Sequence, residues 1–339
     1  MQKKIIVLAI AAALTAPALA FAEATVFGQA NLAINIVNDG NTNSGTSHEL
    51  SSYGSRLGFK GSEDLGTGMS VVWQMEGSVD VDTGASFLFD RNTYLGLSSA
   101  GMGTILGGHY DSPYKISTRR LDVFGDTAAD NRANNGGLMG MGHDVGRANS
   151  LVYLSPSWGG FSLAAATVFG AEGAAANQTK GTALSLAGMY EAGPLYATLA
   201  YDSLKYGNVG DLNAATAGRA VNDEDKAWKA GVGYAMDAIT VNAVIEKPKF
   251  TAAAGGSSSS TNLYLGGKFA ISTTDAIKLA YSKRGTVGNG PNDAKQYAIG
   301  YDHNMSSNTT VYALYTKKTD NTAGAPDPSI ISVGMKHMF

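Results

Sequence analysis

The 339-residue chain contains no cysteine, so it forms neither a disulfide bond nor a thiolate metal site. Its five histidines are scattered without the close spacing of a zinc motif, and no nucleophile elbow or phosphate-binding loop is present. Charged residues are few, and the 28 acidic residues slightly outnumber the 25 basic ones. The chain therefore lacks the basic surface of a nucleic-acid-binding protein. We therefore expect no cofactor, no metal and no nucleic-acid partner.

Long apolar runs are also missing, apart from one at the N-terminus. Lys3 and Lys4 precede an apolar stretch from Ile5 to Leu14, and small residues follow at Ala20 and Ala22. This order is typical of a secretory signal peptide, and the stretch is too short for a membrane-spanning helix. We predict a signal peptide at residues 1–22 and a single mature domain at residues 23–339. An uncleaved membrane anchor is the alternative.

The rest of the chain is built from short stretches in which apolar and polar residues alternate. In the first stretch, Leu32 and Ile34 alternate with Asn31 and Asn35. This is the period of a β-strand with two different faces, and it averages to a neutral mean hydropathy, here −0.06. Sixteen such segments fit between residues 24 and 339. Most are about 9–14 residues long, which suits a tilted strand that crosses a bilayer.

The spacers between these segments alternate between short and long. Seven short turns and eight long loops are what sixteen strands require if both chain ends lie on the short-turn side. Membrane barrels have this arrangement, so we predict an all-β, sixteen-stranded antiparallel up-and-down transmembrane barrel. A soluble sandwich or propeller does not require strict alternation of spacer length. The long loops are predicted near residues 38–53, 82–90, 111–146, 171–180, 206–225, 251–260, 285–294 and 318–328.

Several motifs give the chain a family resemblance. SRLGFKG at residues 55–61, followed by EDLG at 63–66, is similar to the second strand and first turn of Gram-negative general diffusion porins, particularly the trimeric porins of β-proteobacteria. The final strand ends on Phe339, which resembles the signal that the outer-membrane assembly machinery reads in that family. The segments that resemble the fourth, fifth and sixth strands are DRNTYLGL at 90–97, GTILGG at 103–108 and NSLVYLSP at 149–156.

The resemblance implies a water-filled channel in the Gram-negative outer membrane for passive diffusion of ions and small hydrophilic solutes. It also implies a homotrimer in the lipid bilayer beside lipopolysaccharide, without enzymatic activity. The longest spacer, residues 111–146, is third among the long loops. In the family the third loop folds into the barrel and narrows it, and we expect the same here because a sixteen-stranded lumen is wide enough for water. A loop that stays outside and covers the rim is the alternative.

Charges at a narrow opening select among ions. The resemblance carries Arg56, Arg91 and Arg147 onto wall positions of a basic cluster that faces the third loop. The opposing acids are expected at Asp122 and Asp126, in a segment that resembles the loop tip. Two neighbouring arginines in the same loop are also candidates for the opening, where they would favour anions: Arg119 and Arg120.

Two positions depart from the family pattern, because Gln29 stands where some relatives have lysine and Val123 where some have a glutamate. One alternative function is a channel that prefers one anion or nutrient. A second is an outer-membrane enzyme, although no Ser-His-acid or two-acid spacing is evident. A third is a structural barrel with a plugged lumen. Residues 39–43 begin like a calcium loop, but Leu50 occupies the position of the bidentate acid, which favours an ordinary external loop.

Overall fold

The structure, a computed structural model, describes residues 24–41, 45–85, 87–133, 137–140, 142–170, 178–210, 212–287 and 292–339. The predicted signal peptide at residues 1–22 lies outside these ranges. No helix in the described ranges is long and apolar enough to cross a membrane.

The described helical segments are α1 (Pro113–Thr118) and a 3-10 turn at Arg119–Leu121. The strand segments are β1 (Thr25–Asn38), β2 (Thr46–Ser52), β3 (Arg56–Asp64), β4 (Met69–Ser78), β5 (Thr93–Ser99), β6 (Gly103–Asp111), β7 (Gly146–Leu154), β8 (Phe161–Val168), β9 (Thr182–Ala192), β10 (Leu195–Lys205), β11 (Glu224–Met236), β12 (Ile239–Thr251), β13 (Ser257–Ser259), β14 (Asn262–Ala270), β15 (Asp275–Arg284), β16 (Ala294–Asn304), β17 (Thr309–Asp320) and β18 (Ser329–Met338).

The strand segments form one closed antiparallel sheet. Apart from β2 with β3 and β13 with β14, strands that follow each other in sequence pair with each other. β18 pairs with β1 from Met338 opposite Gln29 to Ser329 opposite Asn38. The C-terminal residue extends this seam, because Gly28 N donates to Phe339 O at 2.9 Å and Phe339 N donates to Gly28 O at 3.2 Å. A closed sheet leaves no unpaired edge, which is what a lipid environment requires of a β-structure.

Two of the barrel strands are interrupted. β2 and β3 pair with successive parts of β1, and β13 and β14 pair in the same way with β12. When each of these pairs is taken as one strand, the described residues form the predicted sixteen-stranded barrel. The predicted loop at residues 38–53 was wrong in its second half, since Thr46–Ser52 is a strand. This segment is almost entirely polar, so the alternation of apolar and polar residues did not reveal it. It pairs with the far end of β1, next to the external loop.

Alternation along the strands separates an apolar outer face from a polar inner face. Ile34, Leu95 and Leu199 point outward and are 62%, 63% and 57% exposed. Asn31 and Asn35, which flank Ile34 on the same strand, are buried inside the barrel. A barrel that is apolar outside and polar inside suits a lipid surround and an aqueous interior. The faces predicted from the sequence are therefore confirmed.

The loop between β6 and β7, residues 112–145, is termed the inner loop, and its described residues lie inside the barrel. Its Phe124 is fully buried against Tyr312 and Leu314 of the inner wall. Room for this ring is made at Gly300, where a Cβ would lie 2.7 Å from the Phe124 ring. The third long loop is therefore folded inward, as predicted.

A second loop packs onto the inner wall near the external mouth, which the sequence did not predict. Residues 206–223 connect β10 to β11, and their Leu212 and Ala214 are buried against Val168 and Leu204. The apolar side chains of this loop replace water over that part of the wall. The mouth of the barrel is thus lined by loop residues as well as by strands.

A positive charge in the middle of the outer face should destabilise the folded protein in lipid. We expect Leu199→Lys to lower the free energy of unfolding by about 2–4 kcal/mol, because the new ammonium would lie in hydrocarbon. Urea unfolding in lipid vesicles measures this change. Gln74→Lys places the same charge on the half-buried inner face and should have little effect. Equal losses in the two variants would contradict the assignment of the faces.

Candidate functional site

Hydrogen bonds from distant strands hold the tip of the inner loop in place. The hydroxyl of Tyr264 on β14 accepts from Val123 N at 2.9 Å and donates to Asp122 Oδ1 at 3.1 Å. Asn31 on β1 donates from Nδ2 to the carbonyl of Asp126 at 2.6 Å. The tip is therefore tied to two separate parts of the wall and lies across the lumen.

A buried polar network holds the base of the inner loop. Lys229 on β11 donates to Asp144 Oδ1 at 2.6 Å, and its ammonium lies 3.9 Å from the centroid of the Tyr114 ring. Glu246 on β12 accepts from Tyr114 Oη at 3.1 Å and from Gly140 N at 2.8 Å. Burial raises the pKa of Tyr114 well above its ordinary value, so its hydroxyl remains a donor. Removing one partner of such a network would leave another buried charge uncompensated.

The short helix α1 begins the inner loop and brings two cations to the lumen. Ser112 caps the helix by accepting from Lys115 N at 3.1 Å, and Pro113 follows at the first helical position. Lys115 Nζ lies 2.7 Å from Asp111 Oδ1, and Arg119 Nη1 lies 3.4 Å from Asp111 Oδ2. One carboxylate at the end of β6 therefore holds both cations of the helix and its adjoining turn.

Asp122 stabilises the loop tip from within. Its carboxylate accepts from Phe124 N and from Asn131 N, each at 2.9 Å. Burial and the nearby carboxylate of Asp130 raise the pKa of Asp122 to about 6. The structure thus places this predicted pore acid mainly inside the loop, where it closes a turn.

Asp126 lies between the loop and the wall. Its Oδ2 is 3.1 Å from Arg56 Nη1, and its Oδ1 is 3.1 Å from Arg132 Nη2. Burial opposes ionisation of Asp126, but the two guanidinium groups outweigh it and lower the pKa to about 2. A carboxylate with this pKa stays charged throughout the physiological range.

The structure brings two predicted wall arginines together around one glutamate. Arg91 Nε lies 2.8 Å from Glu76 Oε1, and Arg56 Nε lies 3.6 Å from the same oxygen. Gln29 accepts from Arg56 Nη2 at 3.2 Å, so a neutral amide lies beside this arginine. Arg56, Arg91 and Asp126 therefore form the predicted juxtaposition of wall and loop charges.

Arg147 does not join this cluster. It is 8% exposed and donates from Nη2 to the carbonyl of Gly142 at 2.7 Å, beneath the returning limb of the inner loop. It contacts the loop backbone, whereas Arg56 and Arg91 share the carboxylate of Glu76. The resemblance predicted Arg147 in the basic cluster that faces the loop, whereas the structure places it beneath the loop and covers it.

The two loop arginines differ in their surroundings. Arg120 makes a bidentate pair with Glu191 on β9, at 2.6 and 2.9 Å, and its guanidinium lies 4.4 Å from the centroid of the Tyr196 ring. Arg119 is 38% exposed at the side-chain level and points into the lumen beside Asp111. Both arginines therefore lie beside open space, as expected for residues near an opening.

Two cavities of about 500 and 410 Å³ meet at the inner loop. One extends toward Lys336 and Met338, at the short-turn end of β18, and the other toward Ser52 and Gly146 at the long-loop end. Their junction lies beside the inner loop, whose residues line both cavities. The charged side chains that line both cavities are Lys115, Asp126, Arg132 and Asp144.

Several cations beside these cavities are better exposed than the carboxylates that bind them. Arg119 and Arg91 are 38% and 23% exposed at the side-chain level, whereas their partners Asp111 and Glu76 are each 8% exposed. The acidic lining residues in the described ranges are Asp122, Asp126 and Asp144. Cations that are exposed above buried carboxylates give a narrow, low-dielectric passage a positive potential. The basic lining residues are Arg56, Arg91, Lys115, Arg119, Arg120, Arg132 and Lys336.

Sequence reasoning missed three of these cations. Lys336 could have been found, because it alternates with the outward Met335 and must therefore face the lumen. Lys115 and Arg132 lie in a loop, where alternation carries no information about direction. The ion pair of Arg132 with Asp130 depends on the path of the tip, which no spacing rule predicts.

Comparisons with known proteins agree on the architecture. A family model described as Gram-negative porin matches residues 8–323. The outer membrane porin protein 32 of Delftia acidovorans is 27% identical over 380 residues, with 100% of both chains covered. The anion-selective porin from Comamonas acidovorans superimposes with a TM-score of 0.79 at 22% identity, covering 94% of this chain and 100% of that one. OmpT of Vibrio cholerae, in a trimer form, gives a TM-score of 0.71 at 12% identity, covering 94% and 99%.

The two acids of the loop tip should titrate in different pH ranges. A carboxyl whose pKa rises on folding binds its proton more readily in the folded state, so the Asp122 turn gains stability as pH falls through about 6. The lowered pKa of Asp126 has the opposite sign, so its ion pairs weaken only as pH falls toward about 2.

Infrared spectra of the carboxyl groups between pH 8 and 3 test this expectation. Asp122→Asn should remove an inflection near pH 6, whereas Asp126→Asn should leave that inflection in place. If the inflection survives in Asp122→Asn, the raised pKa belongs to another carboxyl group.

Proposed function

The chain belongs to the family of Gram-negative porins, and from this premise we propose that its inner loop constricts a passive, anion-preferring channel. The protein is an outer-membrane porin, and its solutes are ions and small hydrophilic molecules. The observation that carries the proposal is the junction of the two cavities, where the loop tip faces the arginines of the wall. Permeation needs no covalent step and no cofactor.

Passage is limited in size by the inner loop. The tip crosses the lumen from Tyr264 to Asn31, and Phe124 anchors it in an apolar part of the wall. A solute must therefore pass between the loop and the strands that carry Arg56 and Arg91. A rigid, hydrogen-bonded tip keeps the opening at one size, which favours sieving over a moving gate.

Selection among ions arises from cations beside this opening that are better exposed than the acids that bind them. Arg56 and Arg91 share Glu76, and Arg119 shares Asp111 with Lys115, so each acid serves more than one cation. The net positive potential concentrates anions and repels cations. The anion-selective porin of Comamonas acidovorans has the same fold, which supports this assignment. Arg147 has a supporting role beneath the loop rather than a place at the opening.

A channel of the same fold that prefers one anion or nutrient is the second candidate. It is favoured by the bidentate arrangement of Arg120 on Glu191 next to the Tyr196 ring, a site where a carboxylate solute could replace Glu191. Competition between solutes for the current would distinguish such a channel from a general one.

A homotrimer is supported by an asymmetry of the outer face. Strands β8–β17 expose many aromatic rings, which are typical of lipid interfaces, whereas β18 and β1–β6 expose mostly aliphatic side chains. The loop that follows β4 exposes Val81, Leu88 and Phe89, and no described part of the chain covers them. We assign this aliphatic side and its loop to contacts between copies. The trimer form of OmpT from Vibrio cholerae shares the fold and supports this arrangement.

Export and assembly complete the proposal. Residues 1–22 act as the cleaved signal peptide, and Phe339 presents the C-terminal signal to the outer-membrane assembly machinery. Phe339 is half exposed at the barrel seam, where its ring covers Gly28. In the membrane the barrel is surrounded by the lipid bilayer and, on its external side, by lipopolysaccharide.

Neutralising an exposed lumen arginine should weaken the preference for anions. We expect Arg119→Gln and Arg91→Gln to lower the anion-to-cation permeability ratio, on the order of twofold each, because each removes a positive charge beside the passage. Reversal potentials in planar bilayers under a salt gradient measure this ratio. Arg147→Ser is the matched control and should leave the ratio nearly unchanged, since that side chain is covered.

The same recordings test the channel itself. Stepwise openings that close in threes under voltage are expected for a trimeric porin. A cation-selective wild type, or a larger effect of Arg147→Ser than of Arg119→Gln, would contradict the proposed source of selectivity. Silence from folded, inserted protein would contradict an open channel.

Loosening the loop tip should widen the channel. Phe124→Ala removes a ring that is fully buried against the wall, at a loss of about 3–5 kcal/mol of packing. We expect higher single-channel conductance and faster entry of larger neutral sugars into vesicles. Phe169→Ala, at a site 58% exposed outside the lumen, is the control. An unchanged size limit in Phe124→Ala would argue against constriction by the inner loop.

A further inference from the structure

Three adjacent strands carry the same pair of residues on the outer face of the barrel. On β15, β16 and β17 an outward lysine lies two residues from an outward tyrosine, always on the side of the long loops. The tyrosines occupy the level of an interfacial aromatic belt, and the lysines lie just beyond it. The pairs are Lys283 with Tyr281, Lys295 with Tyr297, and Lys317 with Tyr315. We term the three lysines the lysine triad.

The lysine triad is poorly neutralised by the protein. Lys283 lies directly opposite Lys295 in the sheet, and Lys317, which pairs with Tyr297, is diagonal to Lys295. Directly opposed like charges destabilise a sheet. The acidic neighbour of Lys283 and Lys295 is Asp293, which already accepts from Asn321 Nδ2 at 2.8 Å. One carboxylate beside three ammonium groups leaves positive charge for an outside anion.

An apolar groove begins at the tyrosines of these pairs and extends toward the middle of the barrel. It is an open depression of about 570 Å³ on the outer face. The space above Gly267 is free, because a Cβ there would meet nothing nearer than Thr240 O at 3.8 Å. The outward side chains that line it are Val241, Leu265, Leu279, Tyr281, Tyr297, Ile299 and Tyr315.

We propose that this surface is a binding site for an acylated lipid with a phosphorylated headgroup. The phosphate lies against the lysine triad, where ammonium groups donate charge-assisted hydrogen bonds to its oxygens. An acyl chain fills the groove over Gly267, where it meets mainly apolar surface. In the external leaflet of the outer membrane, lipopolysaccharide supplies this chemistry. The inference rests on the proposed partnership with lipopolysaccharide and gives that partnership a place on the barrel.

Two alterations separate the contributions of charge and groove. The triple variant Lys283→Gln, Lys295→Gln and Lys317→Gln removes the ammonium groups, and Gly267→Leu fills the groove without changing charge. The matched control replaces three other exposed, outward lysines at the same end of the barrel, on β11 and β12, by glutamine: Lys226, Lys247 and Lys249.

Native mass spectrometry of the refolded mature protein in detergent measures binding of lipid A, dephosphorylated lipid A and inorganic phosphate. We expect the triad variant to bind lipid A on the order of a hundredfold more weakly, since each lysine near an anionic headgroup contributes about fivefold. Gly267→Leu should also weaken lipid A binding, and the control triple should remain near wild type. Dephosphorylated lipid A should bind the wild type as weakly as lipid A binds the triad variant.

Three results would overturn the proposal. Equal losses in the triad variant and the control triple would indicate nonspecific attraction to a basic rim. Equal binding of the two forms of lipid A would show that the phosphate does not contribute to binding at this site. Binding of inorganic phosphate as strong as that of lipid A would leave the groove without a role. Conductance of the same preparations in planar bilayers should match wild type, so a failed lipid site is distinguishable from a failed channel.

Discussion

The structure depends on one constraint, which is that a backbone surrounded by lipid must satisfy its hydrogen bonds within the protein. The seam between β1 and β18 meets this constraint, because it joins the two ends of the chain and removes the last free edge of the sheet. Closure also divides every strand into a lipid-facing row and a lumen-facing row. All other features described above, including the inner loop, the charged passage and the outer lysines, are placed by that division.

Inside the barrel, the polar wall has two roles. Where it faces water it lines the passage, and where it faces the inner loop it supplies partners to a segment that has little secondary structure of its own. Glu246 and Lys229 are buried because the base of the loop covers them, and Tyr264 reaches the tip from the same side. The opening is therefore shaped by residues that a solute never touches. This arrangement also explains the covered Arg147, whose guanidinium serves the loop backbone.

Outside the barrel, the apolar surface is not uniform. The aliphatic side with the exposed loop after β4 fits a contact with other copies, and the aromatic side fits lipid. Within the aromatic side, the lysine triad and the groove at Gly267 form a combination that neither permeation nor trimer contacts require. Two opposed lysines would lower stability unless an anion lies between them. A phosphorylated lipid satisfies the charge and the groove together.

Much of the fold was predictable from the sequence. Side chains of a membrane strand face lipid and lumen in turn, so apolar and polar residues alternate with a period of two. Ile34 beside Asn35, repeated along the chain, determined the strands, their faces and the barrel, and spacer length determined the long third loop. Alternation failed at Thr46–Ser52, where Leu50 is the one apolar side chain and polar residues fill the other positions of both faces. The charged site was only half predictable: the wall arginines Arg56 and Arg91 follow from strand periodicity and resemblance. The partners of Asp122 and Asp126, the covering of Arg147 and the positions of Lys115 and Arg132 were decided by the path of the inner loop. Tertiary structure alone decides such a path, because a loop has no period and its direction is set by distant wall residues that are brought near only when the sheet closes.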